Sequence, residues 1–407
     1  MLKTLLTIFV ATALGLLSAC STRPALYQPS DTRLAPGNPE DFDGYLANTR
    51  RYLEENLVAL PGFSRRDQVD WNMPFRSMPP EKCRTGPTQP TRGILLVHGL
   101  SDSPFVFRDF ARVLAKDCVQ VRTVLLQGHG TRPGDMTRAE ADVWREQVRN
   151  HFNALARDVD IPMIGGFSLG GALATELALS SADPKPAGLV AIAPAWELNG
   201  LKNYLWLAST ANLFVDFVEQ EPELNPVKYE SFSINAAVQL ADVLDNLRHR
   251  FEQAPAFDMP LFLVATEADS VINLPYLIDS FNTRFRNPDN QMLVFRDQRR
   301  SWPYAPNPQI MLFDSYRPDL NILEFSHQSL PASPDNELYG LGQPLQRCLE
   351  PNLMSLKACR ALAKDELWFS AWTDQKQPVP TSRLTYNPEF DRVAKQLSGF
   401  IRERDIP

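Results

Sequence analysis

Residues 164–171 read Ile-Gly-Gly-Phe-Ser-Leu-Gly-Gly, and this octapeptide decides how the surrounding chain is interpreted. An apolar run of strand type leads into it, and "LGGALATELALS" continues from Leu169 with a helical pattern. Small residues around a serine allow a sharp strand-to-helix turn that projects the hydroxyl above the edge of a sheet. Ser168 is therefore a candidate nucleophile, although a glycine-rich turn with a purely structural role has the same letters.

The rest of the chain alternates short apolar runs with segments of helical periodicity. The apolar runs are "GILLVHG" (93–99), "VQVRTVLLQGHG" (119–130), "AGLVAIAPAW" (187–196) and "MPLFLVATEAD" (259–269). This alternation predicts an α/β fold with a mostly parallel central sheet and flanking helices. It lapses twice, which predicts a core in two parts (41–195 and 259–407), a helical cap inserted at 196–258, and an insertion at about 332–386.

A nucleophilic serine needs a base that takes its proton and a carboxylate that orients the base. Among the five histidines, only His327 follows the candidate carboxylate Asp269, which lies just past an apolar run. We expect Ser168, Asp269 and His327 to form a catalytic triad, each placed after a strand. Glu267 is the local alternative to Asp269.

The other histidines receive different interpretations. His98 and His129 lie in loops near the expected site, and both are interpreted as structural residues. His151 and His249 lie among charged residues of helical segments, so we expect them at the surface. Backbone amides supply the remaining requirement, donors for the oxyanion, and the positions of Leu100 and Leu169 suit that role.

At this point the chain resembles the α/β-hydrolase superfamily, most nearly its monoacylglycerol-lipase-like and serine-aminopeptidase-like branch. The residues that carry the resemblance are "VHGLSDSPFVF" (97–107), "LQGHG" (126–130), "GFSLGG" (166–171), "TEADSVI" (266–272) and "SH" (326–327). The resemblance implies an eight-stranded sheet, a cap after the sixth strand, and hydrolysis of esters or related acyl bonds without a cofactor or metal. The long stretch after His327 departs from the branch.

The first residues are of a different kind. Lys3, the apolar run 5–17 and the ending Leu17-Ser18-Ala19-Cys20 are typical of a signal peptide (1–19) with a lipid-modified cysteine. Several acyl chains on Cys20 would anchor the protein stably in the bacterial envelope, and Ser21 favours the outer membrane. A plain signal peptide is the alternative. Residues 20–40, rich in proline, are interpreted as a flexible tether.

An oxidising compartment favours disulfides among the remaining cysteines, Cys83, Cys118, Cys348 and Cys359. Proximity in sequence favours Cys83–Cys118 and Cys348–Cys359 among three pairings, and no zinc-ligand spacing is present. The net charge of −7 argues against nucleic acid as a partner. The expected function is serine-dependent cleavage of small acyl esters. The alternatives are amide or peptide cleavage, and an anchored scaffold without activity.

Overall fold

The computed structural model describes residues 24–34, 41–83, 90–181, 183–200, 216–254 and 256–404. Its centre is an eight-stranded sheet in the order β1-β3-β2-β4-β5-β8-β9-β10, parallel except for β1, which pairs antiparallel with β3. The sheet strands are β1 (Arg76–Ser77), β2 (Arg92–Val97), β3 (Val119–Val124), β4 (Ile161–Phe167), β5 (Leu189–Ile192), β8 (Leu261–Thr266), β9 (Gln291–Arg296) and β10 (Ile310–Asp314). Two small two-stranded ladders lie outside it: β6 (Phe217–Glu219) with β7 (Phe232–Ser233), and β11 (Trp368–Ser370) with β12 (Thr381–Arg383). The expected sheet is confirmed.

Helices follow the strands and cover both faces of the sheet. In the described part of the chain they are α1 (Phe42–Asn56), α2 (Arg65–Asn72), α3 (Arg108–Lys116), α4 (Ala141–Asp158), α5 (Leu169–Ala178), α6 (Ile234–Gln253), α7 (Leu274–Arg284), α8 (Leu356–Ala361) and α9 (Phe390–Arg402). Side chains set several of the starts: the Asp41 carboxylate accepts from the Gly44 amide, and the Ser233 hydroxyl accepts from the Ala236 amide. Such caps satisfy amides that have no partner within the helix.

The core strands are buried on both faces, which explains why their sequences read as continuous apolar runs. Every residue of β3, β4 and β8 is buried, and the apolar side chains of these strands join one large core with those of α3, α4, α5 and α9. The carboxyl ends of β4 and β8 lie at the same edge of the sheet because both strands run parallel to β5. That edge carries the candidate site.

The segment between β5 and β8, expected to be a cap at 196–258, is only partly described, since residues 201–215 lie outside the described ranges. It follows the fifth sheet strand in chain order, not the sixth as the resemblance implied. Its helix α6 packs on α5 and contributes Leu240, Val243 and Leu247 to the main core. The division into two core parts, cap and insertion stays a prediction.

Residues 24–34, within the segment interpreted as a tether, lie against the body of the protein. The Ser30 amide and hydroxyl both donate to Asp135 Oδ1, at 2.6 and 2.7 Å. Leu34 is buried in a small apolar cluster with Tyr52 and Leu53 of α1. Polar and apolar contacts therefore hold this stretch in place.

Two disulfides close the expected pairs, Cys83–Cys118 and Cys348–Cys359. The first joins the segment before β2 to the residue that follows α3 by two positions. The second lies between β10 and β11, where it ties Cys348 to α8. Cys20 and residues 1–19 lie outside the described residues, and within the described ones no helix has the length and apolar character needed to cross a bilayer.

Candidate active site

Ser168 occupies a strained turn between β4 and α5. Its backbone has φ 54° and ψ −117°. A residue other than glycine adopts such a positive φ only when its surroundings enforce it. Its amide donates to the Ile192 carbonyl at 3.0 Å, and its carbonyl accepts from the amides of Ala172 and Ala195. These three backbone bonds hold the turn, and the Ser168 residue is only partly buried.

Glycine is required at two places around this turn because main-chain atoms approach too closely for a side chain. A Cβ at Gly170 would overlap the carbonyl oxygen of Val97 in β2, and one at Gly166 would overlap the backbone of Gly170. The helix α5 therefore starts directly against the ends of two strands. This close approach of main-chain atoms explains why the sequence has glycine at both positions.

Asp269 and His327 lie together, as expected. Asp269 Oδ2 lies 2.7 Å from His327 Nδ1, while Oδ1 accepts from the amides of Val271 and Ile272 at 2.8 and 2.9 Å. Both carboxylate oxygens are thus occupied, and both side chains are more than nine-tenths buried. The alternative, Glu267, is turned toward Arg296 instead, with 3.8 Å between Oε2 and Nε.

His327 reaches this position from an irregular loop. The expectation that a strand directly precedes it is wrong: the last sheet strand before it is β10, and Ile322 forms only isolated bridges. Ile322 and Phe325 are fully buried, so the apolar pattern reflects burial and not an extended ladder. The loop is held by the Ser326 hydroxyl, which donates to the Leu384 carbonyl at 2.6 Å.

The imidazole of His327 packs on Phe167, the residue before Ser168, with 4.8 Å between ring centroids. The Ser168 hydroxyl makes no hydrogen bond to another described residue. Such bonds are often loose in unliganded enzymes and tighten when substrate binds. The structure therefore brings the three predicted side chains to one edge of the sheet and joins two of them directly.

The loop after β2, which carries Leu100, lies beside this turn. A Cβ at Gly99 would lie 3.3 Å from the Cβ of Ser168, which shows how close the loop comes. Neither the Leu100 nor the Leu169 amide has an acceptor among the described residues. Two free amides flanking a serine are the arrangement that an oxyanion requires.

His98 orients this loop, as the structural interpretation expects. Its Nε2 accepts from the Leu126 amide at 3.1 Å, so Nδ1 carries the proton and donates to the Gly99 carbonyl at 2.8 Å. Holding that carbonyl fixes the peptide plane and hence the direction of the Leu100 amide. Burial, with His129 beside it, lowers the pKa of His98 well below its usual value, so the ring stays neutral.

The remaining histidines divide. His249 is exposed, as expected, whereas His151 is fully buried against the rings of Phe42 and Tyr45, so its expected surface position is wrong. The partners come from α1, some hundred residues earlier in the chain, and local charge patterning does not indicate them. His129 is also buried, and burial lowers its pKa to about 4.

A cleft of about 760 Å³ opens beside His327. It contains charged side chains that sequence reasoning missed: Lys228, Glu230, Glu350 and Arg383. Apolar residues, including Val271, Met354 and Trp372, form much of the rest. The four charged residues come from the two segments in which the alternation of strands and helices lapses, so only the unusual length of those segments marked them in the sequence.

Comparison with known proteins agrees with this architecture. Residues 94–380 match the model of the alpha/beta hydrolase family, which is more than half of the chain. The protein belongs to the alpha/beta hydrolase family.

Particular relatives are distant. A thermostable monoacylglycerol lipase of Bacillus sp. (strain H-257) is 25% identical over 183 residues, covering 44% of this chain and 71% of the relative. Among solved structures, one described as a metagenome-derived lipolytic enzyme covers 58% of this chain and 89% of its own, at 20% identity and a TM-score of 0.47. The monoacylglycerol lipase of Paleococcus ferrophilus covers 55% and 88%, at 19% identity and a TM-score of 0.44.

Proposed function

We propose that this protein is a serine hydrolase that cleaves carboxylic esters through an acyl-enzyme on Ser168. The observation that carries the proposal is the 2.7 Å contact between His327 and Asp269 beside the strained turn at Ser168. A base that is oriented by a carboxylate and packs on the residue before a partly exposed serine is the arrangement that nucleophilic catalysis uses. Family membership and the lipase relative support an ester as the substrate.

In the proposed reaction, His327 Nε2 takes the proton of the Ser168 hydroxyl while Oγ bonds to the acyl carbon. The negative charge on the former carbonyl oxygen is held by the Leu100 and Leu169 amides. As the ester bond breaks, His327 returns the proton to the leaving alcohol. Water then attacks the acyl-enzyme with His327 again as base, releasing the acid and restoring Ser168.

The geometry also explains the role of Asp269. Its Oδ1 is bound by two backbone amides, so its Oδ2 is fixed in place against Nδ1. This holds the tautomer in which Nε2 is free to accept the serine proton. It also stabilises the imidazolium that forms when that proton arrives.

Labelling with a fluorophosphonate probe tests the proposal, because the probe reacts only with an activated serine. Wild type and Ser270→Ala, a matched change at an exposed serine in the cleft, should both be labelled, whereas Ser168→Ala should not. A folded wild type that remains unlabelled would overturn the proposal. Turnover of chromogenic esters of increasing chain length, beside aminoacyl amides, then separates esterase, lipase and peptidase activity; we expect short to medium acyl or monoglyceride-like esters.

We further propose that Cys20 carries a lipid anchor that holds the enzyme in the bacterial envelope, at the outer membrane. The support is the composition of residues 1–20 and the ending Leu17-Ser18-Ala19-Cys20. Metabolic labelling with an alkyne fatty acid should tag the wild type and not Cys20→Ala, which should move to the soluble fraction. Absence of label on the wild type would contradict the anchor.

A further inference from the structure

The cleft beside His327 has a polar part that the hydrolytic mechanism does not use. Lys228 and Glu230 come from the segment before β7, while Glu350 and Arg383 come from the insertion around the Cys348–Cys359 disulfide. With Glu221, an exposed carboxylate that also lines the cleft, five charged groups from two distant segments meet next to the catalytic base. Burying a charge costs free energy unless an opposite charge or a bound ligand pairs with it. The pairing of these groups therefore decides what the cleft can bind.

Arg383 is the more buried of the two cations, with 6% of its surface exposed. Its Nη1 lies 2.7 Å from Glu350 Oε1, which forms one ion pair. Its Nε and Nη2 have no hydrogen-bond partner in the described part of the chain. The guanidinium is therefore anchored on one side and incompletely satisfied on the others.

Lys228 is the other cation, and it is partly exposed in the cleft. No described residue forms an ion pair or a hydrogen bond with its ammonium group. Its charge still acts at a distance: together with Arg383 it keeps the pKa of Glu350 below its usual value, although burial opposes this. Lys228 thus offers a positive charge that the fold does not neutralise by contact.

The carboxylates compensate less of this positive charge as the pH falls through neutrality. Glu350 is bonded to Arg383. Burial raises the pKa of Glu230 to about 7, and burial also raises the pKa of Asp102, which lies within range of Lys228, Arg383 and His327, to about 7. A protonated Glu230 adds no negative charge, and it donates its hydrogen bond to Glu350. As the pH falls below 7, the polar part of the cleft therefore becomes more favourable for an anion.

We propose that the cleft selects esters that carry an anionic group, a carboxylate or a phosphate, held by Lys228 and Arg383 while the ester carbonyl lies at Ser168. The proposal rests on the serine-hydrolase function proposed above. It adds a substrate class, since apolar side chains such as Trp372 and Met354 line the same cleft and suit an acyl chain. The substrate is then amphipathic, with an acyl chain and a negative charge at separate ends.

Binding to the inactive Ser168→Ala variant tests this inference independently of catalysis. Calorimetry at pH 6.5 compares two matched pairs: a monoacylglycerol phosphate with the monoacylglycerol, and a glutarate half-ester with its uncharged amide. We expect the anionic member to bind about 10-fold tighter or more, because a hydrogen bond to a charged group is involved. The pair that shows the larger ratio identifies phosphate or carboxylate as the anion.

Adding Lys228→Gln should remove most of that preference and change the affinity for the neutral members less than about twofold. Lys116→Gln, the same charge change at an exposed lysine of α3, should leave the preference intact. Glu230→Gln at pH 8 should act in the opposite direction, strengthening anion binding, because it prevents a negative charge from forming beside Lys228. A loss of affinity for neutral and anionic ligands alike would indicate a merely structural role.

Equal affinity of Ser168→Ala for both members of each pair overturns the inference, as does an anion preference that survives Lys228→Gln. Neither result affects the proposed function, which depends on labelling of Ser168. Conversely, an unlabelled wild type whose Ser168→Ala variant still prefers anionic esters would overturn the function and leave an anion-binding cleft. The two failures are therefore distinguishable.

Discussion

Two residues of the proposed triad and most of the cleft wall come from parts of the chain that are built differently. Ser168 and Asp269 follow the buried parallel strands β4 and β8, and backbone hydrogen bonds hold both. The wall comes from two irregular segments, one of them closed by the Cys348–Cys359 disulfide. In the proposed mechanism the sheet positions the nucleophile and the carboxylate, whereas irregular segments position His327 and form most of the cleft.

The largest effect should follow from removing the base. His327→Ala should lower kcat by about 10⁴-fold or more, since the serine proton then has no acceptor. Trp372→Ala, in the wall and half exposed, should change kcat for a neutral ester less than about 10-fold and act mainly on KM. Steady-state kinetics on one chromogenic ester measures kcat and KM for both variants. Similar losses of kcat would contradict the distinction between the base and the cleft wall.

Stability should depend strongly on the packing of the turn. Gly170→Ala should lower the free energy of unfolding by about 3 kcal/mol, because the added methyl overlaps the Val97 carbonyl. Gly399→Ala in α9 is the control: a Cβ there meets nothing within 4 Å, and alanine favours a helix by up to about 1 kcal/mol. Urea unfolding measures the free energy of unfolding of both variants. Equal destabilisation would contradict the packing argument.

Removing either disulfide should lower stability, but only one of the two removals should change substrate selectivity. They join residues 35 and 11 positions apart, so chain entropy predicts a loss on removal of about 4 kcal/mol for Cys83–Cys118 and about 3 kcal/mol for Cys348–Cys359. We expect only the Cys348→Ala/Cys359→Ala variant to change the ratio of kcat/KM between anionic and neutral esters. A changed ratio in the Cys83→Ala/Cys118→Ala variant would argue against a separate wall.

The smallest effect at neutral pH concerns His151 in the helical layer. Burial, assisted by Arg122, lowers its pKa to about 3, so the folded protein keeps it neutral while the unfolded chain protonates it below about pH 6.5. Its contribution to stability is therefore complete above pH 6.5 and lost as pH falls toward 3, by at most about 1.4 kcal/mol per pH unit. His151→Leu should reduce the pH dependence of the unfolding free energy between pH 6 and 4 by that slope; an unchanged slope would refute this assignment.

Sequence alone predicted the sheet and the order of Ser168, Asp269 and His327, because buried parallel strands and a glycine-bounded turn have strong local signatures. It missed Lys228, Glu230, Glu350 and Arg383, whose meeting depends on contacts between segments more than a hundred residues apart. The burial of His151 was missed for the same reason. Long-range packing without periodicity leaves no local signal.

The docked stretch 24–34 has a consequence for where the enzyme can work. Ser30 is held on Asp135, and the Tyr27 hydroxyl donates to the carbonyl of Glu221, which borders the cleft. If Cys20 is lipidated as proposed, only the few residues before Pro24 separate the anchor from the globular body. Four residues reach about 14 Å at full extension. Such a short linkage would restrict the enzyme to esters that lie in or pass close to the bilayer surface.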